Sequence, residues 1–159
     1  MALPQGLLQR LQALASHPPA AQDEVERAEA ALGLPLPEPL RDLYLLVGNG
    51  GFGPGYGLLG LDGGATDDLG KTALGTYEAF MEPDPDAPPG AGPWWESASL
   101  PLCYWGCSVY TAVDCRTPDA RVRGFDEGVW VEDGRPLATW LENWLANPDM
   151  PQPAPRTGG

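Results

Sequence analysis

The hydrophobic residues of the N-terminal third recur at steps of three and four, which is the spacing of amphipathic helices. In the first predicted helix these positions are Leu3, Leu7, Leu8, Leu11 and Leu14. A second helix begins near Asp23 and ends at Gly33, a residue type that favours a left-handed cap. A third begins near Pro39, and its apolar face comprises Leu40, Leu43, Tyr44 and Val47.

The second half of the chain changes to a strand-like pattern rich in Val, Tyr and Thr. The predicted strand segments are residues 100–104, 109–115, 122–125 and 129–131. Their spacing of about ten residues, with glycine turns between them, predicts an antiparallel meander. A last helix begins near Pro136, with an apolar face of Leu137, Trp140, Leu141, Trp144 and Leu145. We therefore predict the α+β class: a twisted antiparallel sheet with N-terminal helices and a closing C-terminal helix packed against it.

Glycine and proline dominate the segments between these elements. Residues 48–64 predict a glycine-rich turn, with Gly50 or Gly51 at positive φ, and a short strand at residues 56–61. Residues 63–93 form an irregular insertion rich in Gly, Pro and acids. Within it, residues 76–82 are compatible with a short helix or an extended piece.

The organisation along the chain predicts a single domain. It spans residues 1–147, and the proline-rich tail 148–159 is expected to be disordered. The chain of 159 residues is long enough to bury a core of its own.

Charge limits the classes of partner. The net charge is −13, and residues 61–100 alone hold eight acids and one base. Such an excess of acids argues against a nucleic-acid partner, because proteins bind nucleic acids largely by neutralising phosphates with basic side chains. It also argues against binding to an anionic membrane. It favours a basic partner. No apolar run approaches the roughly 20 residues of a membrane span, and no signal peptide is visible. Three cysteines are a poor disulfide framework, so we expect a cytoplasmic protein.

Catalytic and cofactor motifs find little support. Two GxGxxG matches, starting at Gly48 and Gly55, lack the preceding strand and following helix of a dinucleotide site. His17 is the only histidine, and it lies at a helix end beside a proline, where it makes a poor general base. Cys103, Cys107 and Cys115 are better explained as buried small hydrophobic residues than as metal ligands. We expect no catalytic residue, no cofactor and no metal.

Acids and tryptophans together form the candidate partner-binding residues. The acids are Asp62, Asp67, Asp68, Asp84 and Asp86. They share the Gly/Pro-rich region with Trp94 and Trp95, which cannot point the same way in an extended segment. One tryptophan should anchor the loop, and the other should be exposed as an interaction hot spot. The alternative is a solvated acidic loop that only confers solubility.

The chain resembles the SUKH superfamily in a series of short, ordered motifs. The first three are Glu29-Ala30-Ala31-Leu32-Gly33-Leu34-Pro35-Leu36-Pro37, Leu40-Arg41-Asp42-Leu43-Tyr44 and Asn49-Gly50-Gly51. Downstream follow Leu100-Pro101-Leu102, Trp105-Gly106-Cys107 and Val113-Asp114. The resemblance spans about residues 22–146 and does not extend to the insertion.

The resemblance implies a non-enzymatic α+β domain. Many bacterial members are similar to immunity proteins of polymorphic toxin systems, and fungal members regulate cell-wall assembly. The leading hypothesis is an immunity-type protein that occludes a cognate, basic toxin. A binding or scaffold module with another partner is the alternative, followed by an enzyme whose site is not visible in the sequence.

Overall fold

A computed structural model describes residues 2–154 of the chain. The helices are α1 (Gln5–Gln12), α2 (Gln22–Leu32), α3 (Glu38–Asp42), α4 (Ala73–Met81) and α5 (Leu137–Ala146). The strands are β1 (Ser99–Gly106), β2 (Val109–Asp114), β3 (Arg121–Asp126) and β4 (Val129–Pro136). They form one antiparallel sheet of order β1-β2-β3-β4. The predicted α+β class and the meander are confirmed.

Helix α1 packs through Leu7, Leu8 and Leu11 of the predicted face, whereas Leu14 lies beyond the end of the helix and is exposed, contrary to the prediction. Gly33 ends α2 in the left-handed conformation, with φ 81°, as expected. The third predicted helix differs, because α3 gives way to a π-helical turn over Leu43–Val47. This turn ends with a hydrogen bond of 3.2 Å from the Gly48 N–H to the Leu43 carbonyl. Tyr44, within the turn, is buried and donates its hydroxyl proton to the Leu59 carbonyl at 2.9 Å.

The glycine-rich segment covers the outer edge of β1 without forming a full strand. Leu58 pairs with Cys103 in an isolated bridge. The Leu59 N–H donates to the Leu102 carbonyl at 2.8 Å, and the Tyr56 N–H to the Tyr104 carbonyl at 3.0 Å. The predicted strand at residues 56–61 is therefore only a short pairing segment. Gly55 and Gly57 have positive φ, which interrupts a regular ladder.

The segment predicted as an irregular insertion, residues 63–93, contains α4 and is not irregular throughout. The Thr72 hydroxyl caps the helix by accepting the Gly75 N–H at 3.0 Å. Ala73, Leu74 and Tyr77 are buried in the common core. The sequence left a short helix and an extended piece open for residues 76–82. The segment is helical, because the helix buries its apolar side chains on one side.

The closing helix α5 begins after Pro136, as predicted. Trp140 is buried, whereas Trp144 is half-buried against Phe52. The start of the tail departs from the expected disorder: Met150 belongs to the core, and Pro153 lies against Gly124 of β3. The reason is that an apolar side chain just beyond α5 still reaches the core. Residues 155–159 of the predicted tail lie outside the described residues.

Candidate partner-binding surface

Four aromatic residues form one row across the sheet, which we call the cross-strand row. Tyr104 of β1 pairs with Tyr110 of β2, Tyr110 with Phe125 of β3, and Phe125 with Trp130 of β4. Ring centroids are 4.8 Å apart for the two tyrosines and 5.2 Å apart for Phe125 and Trp130. Directly opposed residues of neighbouring strands share one face, so the row presents a continuous aromatic surface.

Trp95 covers this row and is part of the core. Its side chain is 1% exposed, and its indole N–H donates to the Ser99 carbonyl at 2.6 Å. Its ring lies 5.1 Å from Phe125 and 4.6 Å from Trp130. Of the two tryptophans named from the sequence, Trp95 is the loop anchor, and it offers no surface to a partner.

Trp94 is the exposed tryptophan, with 55% of its side chain accessible. Its ring contacts Phe80 of α4, at a centroid distance of 4.5 Å. Phe80 in turn meets Tyr110 edge-on at 5.4 Å. At the other end, Tyr56 is 61% exposed and stacks on Tyr104 at 5.7 Å. We call this connected series the aromatic strip: Trp94, Phe80, Tyr110, Tyr104 and Tyr56.

Two of the candidate acids, Asp67 and Asp68, belong to the loop before α4. Asp67 is buried, and its Oδ1 accepts the N–H groups of Leu69 and Lys71, each at 2.9 Å. The expectation that Asp67 is a free surface charge is therefore wrong, since its carboxylate holds a turn. Asp68 is exposed. Burial raises the pKa of Tyr110 to about 12, and Tyr104, Asp67 and Asp68 add to this effect.

The remaining candidate acids are exposed and lie in other surroundings. Asp62 forms an ion pair of 3.2 Å with Arg27 of α2. Asp84 and Asp86 belong to the loop after α4, where the Asp84 carboxylate accepts the Asp86 N–H at 2.9 Å. Asp68, Asp84 and Asp86 are therefore exposed acids, whereas Asp62 is partly neutralised by Arg27.

An arginine-centred cluster, missed in the sequence, lies on the same sheet face as the cross-strand row. The Arg123 guanidinium lies 4.1 Å from the centroid of the Trp130 ring. It donates to the Glu96 carboxylate and, at 3.4 Å, to Glu132. The hydrogen bond from Arg123 lowers the pKa of Glu96. A sequence signal existed in the alternation of Arg121 and Arg123 with apolar residues along β3.

The cysteines do not converge on a site. Cys103 and Cys115 are buried, and burial raises the pKa of both thiols, that of Cys115 to about 12. Cys107 is exposed in the β1–β2 turn, so the expectation of burial is wrong there. Gly106, Cys107 and Ser108 all have positive φ, because a two-residue turn reverses the chain between β1 and β2. Within residues 2–154, no group of three or more metal-ligating side chains is found.

Comparison with known proteins identifies a family. The sequence model of the SMI1 / KNR4 family (SUKH-1) matches residues 19–147, which include α2 through α5. None of the curated proteins matches the chain. Among the helices of the described part, none is long and apolar enough to span a membrane.

Proposed function

Because the chain belongs to the SMI1 / KNR4 family (SUKH-1), we propose that it is a cytoplasmic immunity-type protein that binds and neutralises a cognate, basic toxin domain. Domains of this family are generally non-catalytic immunity or regulator domains, which act through protein partners. The observation that carries the proposal is the aromatic strip, which ends in two exposed rings, Trp94 and Tyr56.

The mechanism is occlusion assisted by charge. A net charge of −13 attracts a basic toxin over a distance of about 8 Å at physiological salt before contact is made. Trp94 and Tyr56 then supply the desolvated aromatic contacts that slow dissociation. The acids take positions that nucleic-acid phosphates would occupy on a basic nuclease, so the toxin surface is blocked without chemistry.

Co-expression tests the proposal. A toxin-like reading frame immediately upstream of this chain's gene would be expressed alone and together with the chain. We expect growth to stop in the first case and to be restored in the second. Purified chain and catalytically inactive toxin should form a complex whose association slows with salt. Toxicity that persists at equal expression, with no complex formed, would contradict the proposal.

A second candidate function is a protein-binding module with a non-toxin partner, which the SMI1 / KNR4 regulators of the family favour. The same aromatic strip would serve it. Neighbouring genes without a toxin, together with a stable complex with another basic protein, would support this alternative.

A further inference from the structure

A groove lies on the face of the sheet opposite the cross-strand row. Thr111, Gly124 and Val131 are paired across β2, β3 and β4, one position along from the row, so they lie on the other face. The Trp105 indole N–H donates to the Thr111 hydroxyl at 2.9 Å, which brings its ring to this face. Together with Trp140 of α5, these residues line a cavity of about 250 Å³. The sheet and the closing helix thus form a groove that is lined partly by aromatic rings.

The chain's own residues 151–154, which we call the tail segment, lie in this groove and border the cavity. A Cβ on Gly124 would lie 2.5 Å from the Pro153 Cβ, so the missing side chain of Gly124 makes room for Pro153. Met150, which directly precedes the tail segment, is buried in the core and anchors it. The groove therefore has a seat that fits a proline ring.

The tail segment is extended but held by few contacts. Pro151 and Pro153 fix their own φ, and Gln152 and Ala154 each precede a proline, which restricts them to extended conformations. None of its backbone N–H or carbonyl groups hydrogen-bonds to the backbone of the rest of residues 2–154, and only Pro153 is partly buried. The segment thus loses little conformational entropy when it docks, and little packing is lost when it leaves.

We propose that this groove is a docking site for an extended, proline-containing segment of a partner protein, and that the tail segment is a built-in competitor that closes it in the free chain. Aromatic-lined grooves take such segments because the prolines pack on the rings and the segment is extended before it binds. The tether gives the tail segment a high effective concentration, so a partner must displace it. The inference goes beyond the proposed function, since this face lies opposite the aromatic strip and the partner need not be a toxin.

A peptide with the chain's own sequence tests the groove. The probe is acetyl-Pro-Gln-Pro-Ala-Pro-Arg-amide, the sequence of residues 151–156, and the indole N–H signal of Trp105 in ¹H–¹⁵N spectra reports its binding to the full chain. The tail variant carries Pro151→Gly and Pro153→Gly, which removes the rings and restores backbone freedom. We expect the tail variant to bind the probe about tenfold more tightly than the wild type, because the competitor no longer closes the groove. A peptide with glycine in place of the three prolines should bind neither protein.

Variants made in the tail variant assign the binding to the groove. Gly124→Ala should weaken probe binding about fivefold or more, because its Cβ takes the place of the proline ring. Val131→Ala, which removes part of the lining, is a second groove variant in case Gly124→Ala disturbs the sheet. The matched controls are Gly6→Ala, whose Cβ would meet open space, and Val129→Ala, an exposed apolar side chain of the same strand. Both controls should bind the probe like the tail variant.

The outcomes separate this inference from the proposed function. Equal affinities of the wild type and the tail variant for the probe, or unchanged binding by both groove variants, would overturn the docking site even if a toxin is neutralised. Binding that is enhanced in the tail variant and lost in the groove variants would support it even if co-expression fails to restore growth. Any partner that uses the groove should bind the tail variant severalfold more tightly than the wild type, and a partner with equal affinity for both would contradict displacement.

Discussion

Asn49 accepts the backbone N–H of Leu61 on its side-chain oxygen at 2.6 Å, which joins the turn after the third helix to the segment that runs beside β1. Its amide nitrogen donates to the Glu24 carboxylate at 3.0 Å. Its own backbone N–H donates to the Pro18 carbonyl at 2.9 Å. Asn49 is buried, so one asparagine links α2, the glycine-rich turn and the following loop.

Asn49→Ala should lower the free energy of unfolding by about 2–3 kcal/mol, because it leaves the Leu61 N–H buried without an acceptor and removes the donor to Glu24. Urea unfolding measures the loss. Asn143→Ala, in an exposed position of α5, is the control and should change stability by less than about 0.5 kcal/mol. An Asn49→Ala protein as stable as this control would contradict the linking role.

Gly50→Ala should destabilise the fold by about 2 kcal/mol or more, since both conformation and space oppose a side chain. Gly50 has φ 82°, and a Cβ would lie 2.5 Å from the Leu58 carbonyl oxygen. Gly6→Ala in α1 is the control, because its Cβ would meet open space and alanine favours the helix. Thermal unfolding should show a fall in Tm for the first and an equal or higher Tm for the second.

Substitution of Trp95 should mainly lower stability, whereas substitution of Trp94 should mainly weaken binding. Trp95→Ala removes a fully buried ring and should cost about 3–5 kcal/mol. Trp94→Ala should cost about 1 kcal/mol, because more than half of that side chain is already in water. Urea unfolding gives the stabilities, and dissociation of the toxin complex should be faster for Trp94→Ala by about 2 kcal/mol or more. Similar stability losses for both variants would contradict the assignment of anchor and exposed residue.

Neutralising the exposed candidate acids should slow association with a basic toxin severalfold at low salt. The variant carries Asn at Asp62, Asp68, Asp84 and Asp86, and its fold should persist because exposed acids contribute little to stability. A control with the same change in net charge carries amides at Glu26, Glu127, Glu142 and Asp149, of which Glu142 forms an ion pair with Arg10 as Asp62 does with Arg27. Stopped-flow association at two salt concentrations distinguishes them, and equal rates for both variants would place the contact elsewhere.

Asp67 differs from these exposed acids, because it is buried and its carboxylate accepts two backbone N–H groups. Asp67→Asn should lower stability by about 1 kcal/mol, because a neutral amide oxygen accepts the Leu69 and Lys71 N–H groups more weakly than the carboxylate does. A stability change no larger than that of Asp68→Asn in urea unfolding would contradict its structural role.

Alkaline pH should destabilise the fold through Tyr110. Its pKa rises from 10.0 to about 12 on folding, mainly because of burial. The contribution is intact below pH 10 and is lost as the pH rises through about 12, because the unfolded chain releases the proton first. Tyr110→Phe should therefore lose less stability over this interval than the wild type. Tyr56→Phe, which alters an exposed ring, is the control and should follow the wild type.

Local patterns in the sequence determined much of the secondary structure. The leucine spacing predicted α1, the glycine at position 33 predicted the end of α2, and the strand-like segments predicted the meander. Gly50 and Gly51 both adopt positive φ, as their place in a glycine-rich turn indicated. These features follow from the conformational preferences of neighbouring residues, which act over a few positions of the chain.

Only the tertiary structure decided which side chains form the candidate surface. The sequence indicated that Trp94 and Trp95 must differ, but the choice depends on which ring fits over Phe125 and Trp130. It placed Asp67 among free surface acids, whereas the fold turns that carboxylate inward. The aromatic strip brings Tyr56 to Tyr104 and Phe80 to Tyr110 across long stretches of chain. Such contacts depend on how the loops close over the sheet, and no local periodicity encodes that.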